Sequence, residues 1–457
     1  MKFTIIGAGS SYTPELFEEI ANRKNQFDFK EIFLYDINSE KLDIMTDFCR
    51  RFLNKLNVNI RIQSTTDLYE ALYGADFVDI QIRVGGNKQR ILDEKIPLKH
   101  GLIGQETTGI GGMMKAFRTI PVVLDIANKL FELSPDAWII NYTNPTGLIT
   151  EAVTKYTNVR IAGLCSGGLS PKVWAKESLG VSFDKVKYDY VGLNHLNFMS
   201  NITIDGKPIN QEEFLKIAEQ NHGIDIELSK LLGVLTSPYL HYYYHTSKCI
   251  EYLAEKTFTR GEEVLELEKE IFEELKDMSN KDKPKALIKR GGGGYSEVAF
   301  NFLNAVFNNI DSEMIINVPN NGAIDFLPDS AVVEIGCLVN KSGIKPLHAA
   351  NIPEFCRGII AAVKSYEQLA VEAAVTGNDI LLRQAMMMDP LVGAVCNPPE
   401  IWQMTDEMLI AQEQWLPQYK DAILKAKARM VMGNLIPTKE TQGAARLKTK
   451  TVEELAK

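Results

Sequence analysis

The chain has 457 residues, 45% hydrophobic and 24% charged, a globular mix that excludes bulk disorder and collagen-like structure. At about 150 residues per domain, that length corresponds to roughly three domain equivalents. Lys and Arg number 50 against 59 Asp and Glu, a net charge of −9. No long basic run offsets it, which argues against affinity for nucleic acid or an anionic membrane.

The N-terminus carries a basic residue and a short apolar run, then turns polar and glycine-rich too soon for a spanning helix. It reads as a core β-strand. Cys49, Cys165, Cys249, Cys337, Cys356 and Cys396 include no CxxC pair and form no disulfide framework. A cytoplasmic protein is the expectation.

In chain order, Lys2–Gly7, Glu31–Asp36, Ala75–Arg83, Ala137–Tyr142 and Val159–Cys165 are rich in Ile, Val, Phe and Tyr, as parallel strands buried on both faces should be. Between the first two, the pattern predicts a helix over Pro14–Asn22, with Thr13 as N-cap and Pro14 at the first helical position. This alternation predicts an α/β fold with a Rossmann-like, doubly wound parallel sheet. After about residue 170 the rhythm changes. Phe198–Ile209 predicts a hairpin turning at Asp205-Gly206. Arg260–Met278 predicts a helix with an apolar stripe of Val264, Leu265, Leu267, Ile271, Phe272 and Leu275. Ile359–Met388 predicts helix broken at Thr376–Gly377–Asn378. The division is therefore a Rossmann-like domain over 1–170 and a larger α+β, mainly helical domain over 171–457, with a cleft between them.

Gly7-Ala8-Gly9-Ser10 lies between the first strand and first helix, where glycine permits close approach of a pyrophosphate. Asp36 ends the second strand, where an acid binds the adenosine ribose hydroxyls and favours NAD over NADP. A plain tight turn is the alternative, because Tyr12 stands where the fingerprint has its third glycine. A dense polar segment follows, with Arg83, Arg90, Asp93-Glu94 and Gly104-Gln105-Glu106-Thr107-Thr108-Gly109, then Asn141-Tyr142-Thr143-Asn144-Pro145 after a strand. These fall near strand carboxyl ends, where open α/β sheets bind ligands. Surface ion pairs and a simple turn are the bland readings.

Those two segments, with Cys165, Gly192-Leu193-Asn194-His195, Pro238-Tyr239-Leu240, Thr259-Arg260 and Asn320-Asn321-Gly322-Ala323-Ile324, resemble glycoside hydrolase family 4. The likeness spans nearly the whole chain. It implies an NAD- and divalent-metal-dependent glycosidase acting on a phosphorylated disaccharide or aryl glucoside, assembled as a homodimer or homotetramer. By this resemblance Cys165 and His195 are ligands of a Mn²⁺-type ion and Tyr239 is the general base. Arg260 binds the sugar phosphate, Arg90 and Asn144 contact substrate, and Glu106 belongs to the same motif. From the residues alone, Cys165 at the end of a core strand reads as a small buried apolar residue, His195 as a core histidine, and Tyr239 with Tyr242, Tyr243 and Tyr244 as an aromatic cluster.

Family members usually follow the metal cysteine with Asn or Asp, whereas this chain has Cys165-Ser166-Gly167-Gly168. Ser166 cannot serve as an acid at neutral pH. Gln105-Glu106-Thr107-Thr108 and Pro238-Tyr239 lean towards the β-specific 6-phosphoglucosidases, with the α-specific branch as the alternative. Family 4 departs from the two-carboxylate rule of glycosidases. The implied route is oxidation at C3 by NAD⁺, loss of the C2 proton, elimination at C1, water addition and reversal of the redox step. An ordinary NAD-dependent sugar-phosphate dehydrogenase and a non-catalytic sensor are the rival classes. The thiolate of Cys165 is also expected to be vulnerable to air.

Overall fold

The computed structural model describes residues 1–290, 293–349, 352–433 and 435–436; residues 437–457 of the expected second domain lie outside the described residues. Six strands, β1 (Lys2–Ile6), β2 (Glu31–Tyr35), β3 (Arg61–Thr65), β4 (Phe77–Ile80), β5 (Trp138–Asn141) and β6 (Arg160–Gly163), pair in parallel in the order β3-β2-β1-β4-β5-β6. This is the doubly wound order, whose switch point lies between β1 and β4. All residues of β1, β4 and β5 are buried, because helices cover both faces. The unforeseen strand is β3, at the sheet edge. Only Ile62 in it is buried, so it carries no apolar run to read.

The first helix spans Thr13–Asn22 and is capped by Tyr12 without a side-chain hydrogen bond, which corrects the expectation of Thr13 as cap. Thr13 is buried, and its Oγ1 donates to the carbonyl of Ala8 at 2.7 Å, tying the helix start to the glycine loop instead.

A second sheet follows, from β7 (Val186–Leu193), β8 (Leu196–Ile204), β9 (Lys207–Pro208) and β10 (Leu235–Thr236), all antiparallel. Asp205 and Gly206 turn between β8 and β9 with φ of 50° and 74°, both left-handed as a two-residue hairpin requires. The longer partner of β8 is β7, which the sequence did not announce. The chain then returns to the first sheet. There β11 (Ser312–Pro319), β12 (Val332–Asn340) and β13 (Gly343–Pro346) extend it antiparallel beyond β6. β11 meets β6 at the pair Asn317–Gly163. The nine-stranded sheet thus draws strands from both sides of residue 170, and one apolar core runs from Phe3 and Ile139 to Phe300, Ala370 and Met404.

The helix over Arg260–Lys276 buries Val264, Ile271, Phe272 and Leu275 of its stripe, while Leu265 and Leu267 are half-buried. It is clamped onto the first third of the chain. Glu268 takes Lys41 Nζ at 3.0 Å and Asn87 Nδ2 at 3.2 Å, and the Gly261 amide donates to Glu94 at 2.8 Å. The helical stretch near the C-terminus breaks where foreseen, between Glu354–Thr376 and Asp379–Met388, with Gly377 left-handed at φ 68°. Among the described residues no helix is long and apolar enough to cross a membrane.

Candidate active site

A cleft of about 1240 Å³ opens at the carboxyl ends of β1, β2 and β4 and runs under the helix of residues 260–276. Gly7, Gly9, Ser10, Asp36, Arg90, Glu106, Asn144, Tyr239 and Arg260 all line it. Strands end there because the parallel sheet splays apart at its switch point, exposing backbone and loops.

Gly7 leaves β1 with φ 88°, and a Cβ on it would stand 2.9 Å from both the Gln81 carbonyl oxygen and Ile82 Cγ2. No other residue fits so close to the β4 end. The Asp36 carboxylate accepts from the Gly9 amide at 2.8 Å and the Asn38 amide at 2.9 Å. These two bonds bring the acid beside the glycine loop, where the two sequence features meet. Ser10 Oγ accepts from the Tyr12 amide at 3.2 Å.

Opposite lies a charged cluster built on Glu106. One carboxylate oxygen takes Arg83 and, at 2.8 Å, Lys115; the other takes Arg90 at 2.9 Å. Burial would raise the Glu106 pKa, but the three cations outweigh it and hold the carboxyl well below the usual range. Burial, with Arg83 and Arg90 beside it, pulls Lys115 down to about 7 against the raising influence of Glu106. Arg90 is shared with Glu94 at 2.7 Å. Both Glu106 oxygens are therefore engaged by protein cations. Arg260 reaches the cleft with its side chain 43% exposed, paired with Glu263 at 3.0 Å and donating to the carbonyls of Lys289 and Arg290 at 3.0 and 2.9 Å.

Cys165 and His195 sit behind the cleft wall rather than on it, 7% and 3% exposed. The rings of His195 and Tyr239 stack with centroids 3.9 Å apart and planes 8° from parallel, so Tyr239 separates the imidazole from the cleft. Burial draws His195 down to about 4, leaving a neutral imidazole. Its Nδ1 contacts Thr107 Oγ1 at 3.0 Å, while its Nε2 is buried with no hydrogen-bond partner. An orphaned buried nitrogen needs an explanation, and a metal ion supplies one. Burial first, then Glu334, pushes the Cys165 thiol up to about 12. Its sulfur accepts from the Gly167 amide at 3.4 Å, so Ser166 opens a one-turn helix that the sulfur itself caps.

A neutral imidazole and a sulfur fit a borderline transition ion. Among the described residues no group of three or more His, Cys, Asp or Glu converges on a metal position. Held by two protein donors, such an ion would keep positions open for substrate oxygens.

Arg83, which the sequence left open as a surface ion pair, and the unremarked Lys115, Arg290 and Tyr295 also line the cleft. Lys115 had a signal: it is a basic residue inside the otherwise apolar stretch Ile110–Phe117. Arg290 is half-buried, lies over the Tyr12 ring at 5.8 Å, and is drawn down to about 10 by desolvation and Arg83. It precedes a glycine run, a pattern without a helical or strand period to mark it.

Residues 2–177 match the family described as family 4 glycosyl hydrolase, and residues 190–392 match its C-terminal domain. The chain is 38% identical over 439 residues to a probable 6-phospho-beta-glucosidase of Bacillus subtilis (strain 168), covering 93% of this chain and 99% of that one. It is 37% identical over 450 residues to a 6-phospho-beta-glucosidase of Escherichia coli (strain K12), covering 93% and 98%. The structure of the Thermotoga maritima 6-phospho-beta glucosidase with manganese, NAD⁺ and glucose-6-phosphate superposes with a TM-score of 0.83 at 31% identity, covering 91% and 99%. Two matched regions in chain order, relatives of nearly equal length and a shared fold lead to one conclusion: this chain belongs to the family 4 glycosyl hydrolases.

Proposed function

We propose that this chain is an NAD- and Mn²⁺-dependent 6-phospho-β-glucosidase, hydrolysing 6-phospho-β-glucosides to glucose 6-phosphate and an aglycone. The observation that carries this reading is the stack of Tyr239 on His195, whose buried Nε2 lacks a partner, beside the cleft shared by the Gly7 loop and Asp36. When bound, NAD⁺ supplies a reversible oxidant for C3 of the sugar, and the divalent ion supplies Lewis acidity at its O2 and O3.

The chain's own residues do the rest. Asp36 takes the adenosine ribose hydroxyls, and Cys165 and His195 hold the ion. Arg260 grips the 6-phosphate, and Arg90 and Asn144 orient the sugar. The Tyr239 phenolate takes the proton from C2, the aglycone leaves C1, water adds there, and the phenol returns a proton to C2. Glu106 keeps Arg83, Arg90 and Lys115 gathered at the cleft, a cationic wall suited to phosphorylated ligands. Two domains, 1–170 carrying the cofactor and 171–457 closing over the substrate, are the functional division. Cys49, Cys165, Cys249, Cys337 and Cys356 take part in no disulfide, which supports a cytoplasmic, reducing location. Ile380, Met388, Trp402 and Leu424, exposed on the last described helices, support a homodimer or homotetramer.

The test is turnover of p-nitrophenyl α- and β-glucoside 6-phosphates with NAD⁺ and Mn²⁺. The β-anomer is expected to be cleaved without net NADH at 340 nm. Stoichiometric NADH points to a dehydrogenase, binding without turnover to a sensor, and cleavage of the α-anomer alone to the other branch. In the same assay Arg260→Ala is expected to raise KM about tenfold, the lower end for a charged hydrogen bond because the site is half exposed. Unchanged KM removes Arg260 from the phosphate site. Asp36→Ala is expected to weaken NAD⁺ binding about tenfold by fluorescence titration, with little effect on NADP⁺. Equal loss for both cofactors removes the ribose role.

A further inference from the structure

Glu334 lies on β12, 1% exposed, and its carboxylate accepts four hydrogen bonds. Oε1 takes Asn194 Nδ2 at 3.2 Å and Asn317 Nδ2 at 3.1 Å; Oε2 takes Tyr190 OH at 3.0 Å and Asn197 Nδ2 at 3.1 Å. All four donors are neutral side chains, so no cation neutralises this buried carboxylate through these bonds. Burying a charge costs heavily unless it is well hydrogen-bonded, which makes its position meaningful.

Three of the four bonds lead to the two proposed metal ligands, and the fourth, from Tyr190, fixes Oε2 beside the Asn197 bond. Asn194 and Asn197 bracket His195 in the turn between β7 and β8. His195 itself has φ 68°, a left-handed backbone that a non-glycine residue keeps only where its surroundings over-determine it. Asn317, on β11, is the register partner of both Glu334 and Gly163. Its Nδ2 also donates to the Gly163 carbonyl at 3.1 Å. Gly163 ends β6, two residues before Cys165, and admits no side chain. A Cβ there would lie 2.2 Å from Thr150 Oγ1 and 2.9 Å from Asn317 Cβ. The adjacent strands β12, β11 and β6 are thus locked in line at the point where the chain leaves for Cys165.

We propose that Glu334 is a positioning residue that sets the placement of His195 relative to Cys165, holding the His195 turn through Asn194 and Asn197 and the Cys165 strand through Asn317. It does for the pair what outer carboxylates do for metal-binding histidines, where their loss costs about 10- to 100-fold in metal affinity. The inference rests on the assignment of Cys165 and His195 as ligands.

The test is Mn²⁺ titration of the NAD-bound protein by electron paramagnetic resonance, with NAD⁺ affinity and far-UV circular dichroism measured alongside. Glu334→Ala is expected to bind Mn²⁺ about 10- to 100-fold more weakly with NAD⁺ affinity kept. Glu334→Gln is expected to stay close to wild type, because Tyr190 OH and the Asn197 amide can turn to meet its NH₂ group. Tyr190→Phe removes one donor while keeping the packed ring, and is expected to weaken Mn²⁺ several-fold. It decides the matter should Glu334→Ala fail to fold. Wild-type affinity in Glu334→Ala or in Tyr190→Phe overturns the proposal. So does a Glu334→Gln variant as weak as Glu334→Ala, since charge rather than anchoring would then be at work. Wild-type protein that binds no Mn²⁺, or Cys165→Ser that binds it undiminished, instead overturns the ligand assignment.

Discussion

Tyr239→Phe is expected to lower turnover by about 10²–10⁴-fold, the range for losing a positioned proton-transfer group, while NAD⁺ binding stays intact. The phenol lines the cleft but has little help in ionising. Burial, Cys165 and Glu106 all push its pKa up, and Arg90 alone draws it down. On the proposed assignment, a cation held by Cys165 and His195 would oppose that rise, since a bound ion is the largest local charge at such a site. The phenolate needed to take the proton would thus be available only in the loaded enzyme. The decisive measurement is proton NMR of glucose 6-phosphate formed in D₂O, with product incubated alone with enzyme as the control for later exchange. Elimination breaks the C2–H bond and reprotonation draws on solvent, so deuterium is expected at C2. Direct displacement at C1 leaves protium there, and fresh product with protium at C2 overturns the elimination route even if the enzyme cleaves glycosides. Tyr239→Phe should lose exchange and turnover together. The ring remains to cover His195, so lost stacking is not the cause.

Cys165→Ser is expected to reduce metal-dependent turnover about a thousandfold, because Lewis-acid stabilisation is worth several kcal/mol and each 1.36 kcal/mol is tenfold. The wild-type thiol is pushed up to about 12 by burial and then by Glu334, so as a metal ligand it would give up its proton to the incoming cation. Mn²⁺ binding should therefore release about one proton, measurable as a buffer-dependent heat by calorimetry. Serine keeps the shape but is a far weaker anionic donor, so both the heat and the turnover should fall. NAD⁺ affinity should hold, since Cys165 is buried away from the cleft lining and outside the glycine loop. Full activity of Cys165→Ser in the presence of chelator ends the metal assignment.

Local features of this chain were legible because local chemistry dictates them. A strand buried on both faces is largely apolar, which revealed β1, β2, β4, β5 and β6 but hid the edge strand β3 with its single buried Ile62. Asp205-Gly206 and Gly377 announced their bends because left-handed backbone favours such residues. The Gly7 loop, Asp36 and the family segments marked the site, and the fold gathers nine of those positions around one cleft. Tertiary structure alone decided that β11, β12 and β13 join the first sheet, because an apolar pattern names a buried face but not the strand it pairs with. It alone assigned Arg83, Arg90 and Lys115 to one carboxylate of Glu106, and four distant donors to Glu334. Sequence spacing fixes which residues share a helix face or a strand face. Which buried acid meets which donor depends on how those faces pack, and that is settled only when the whole core closes.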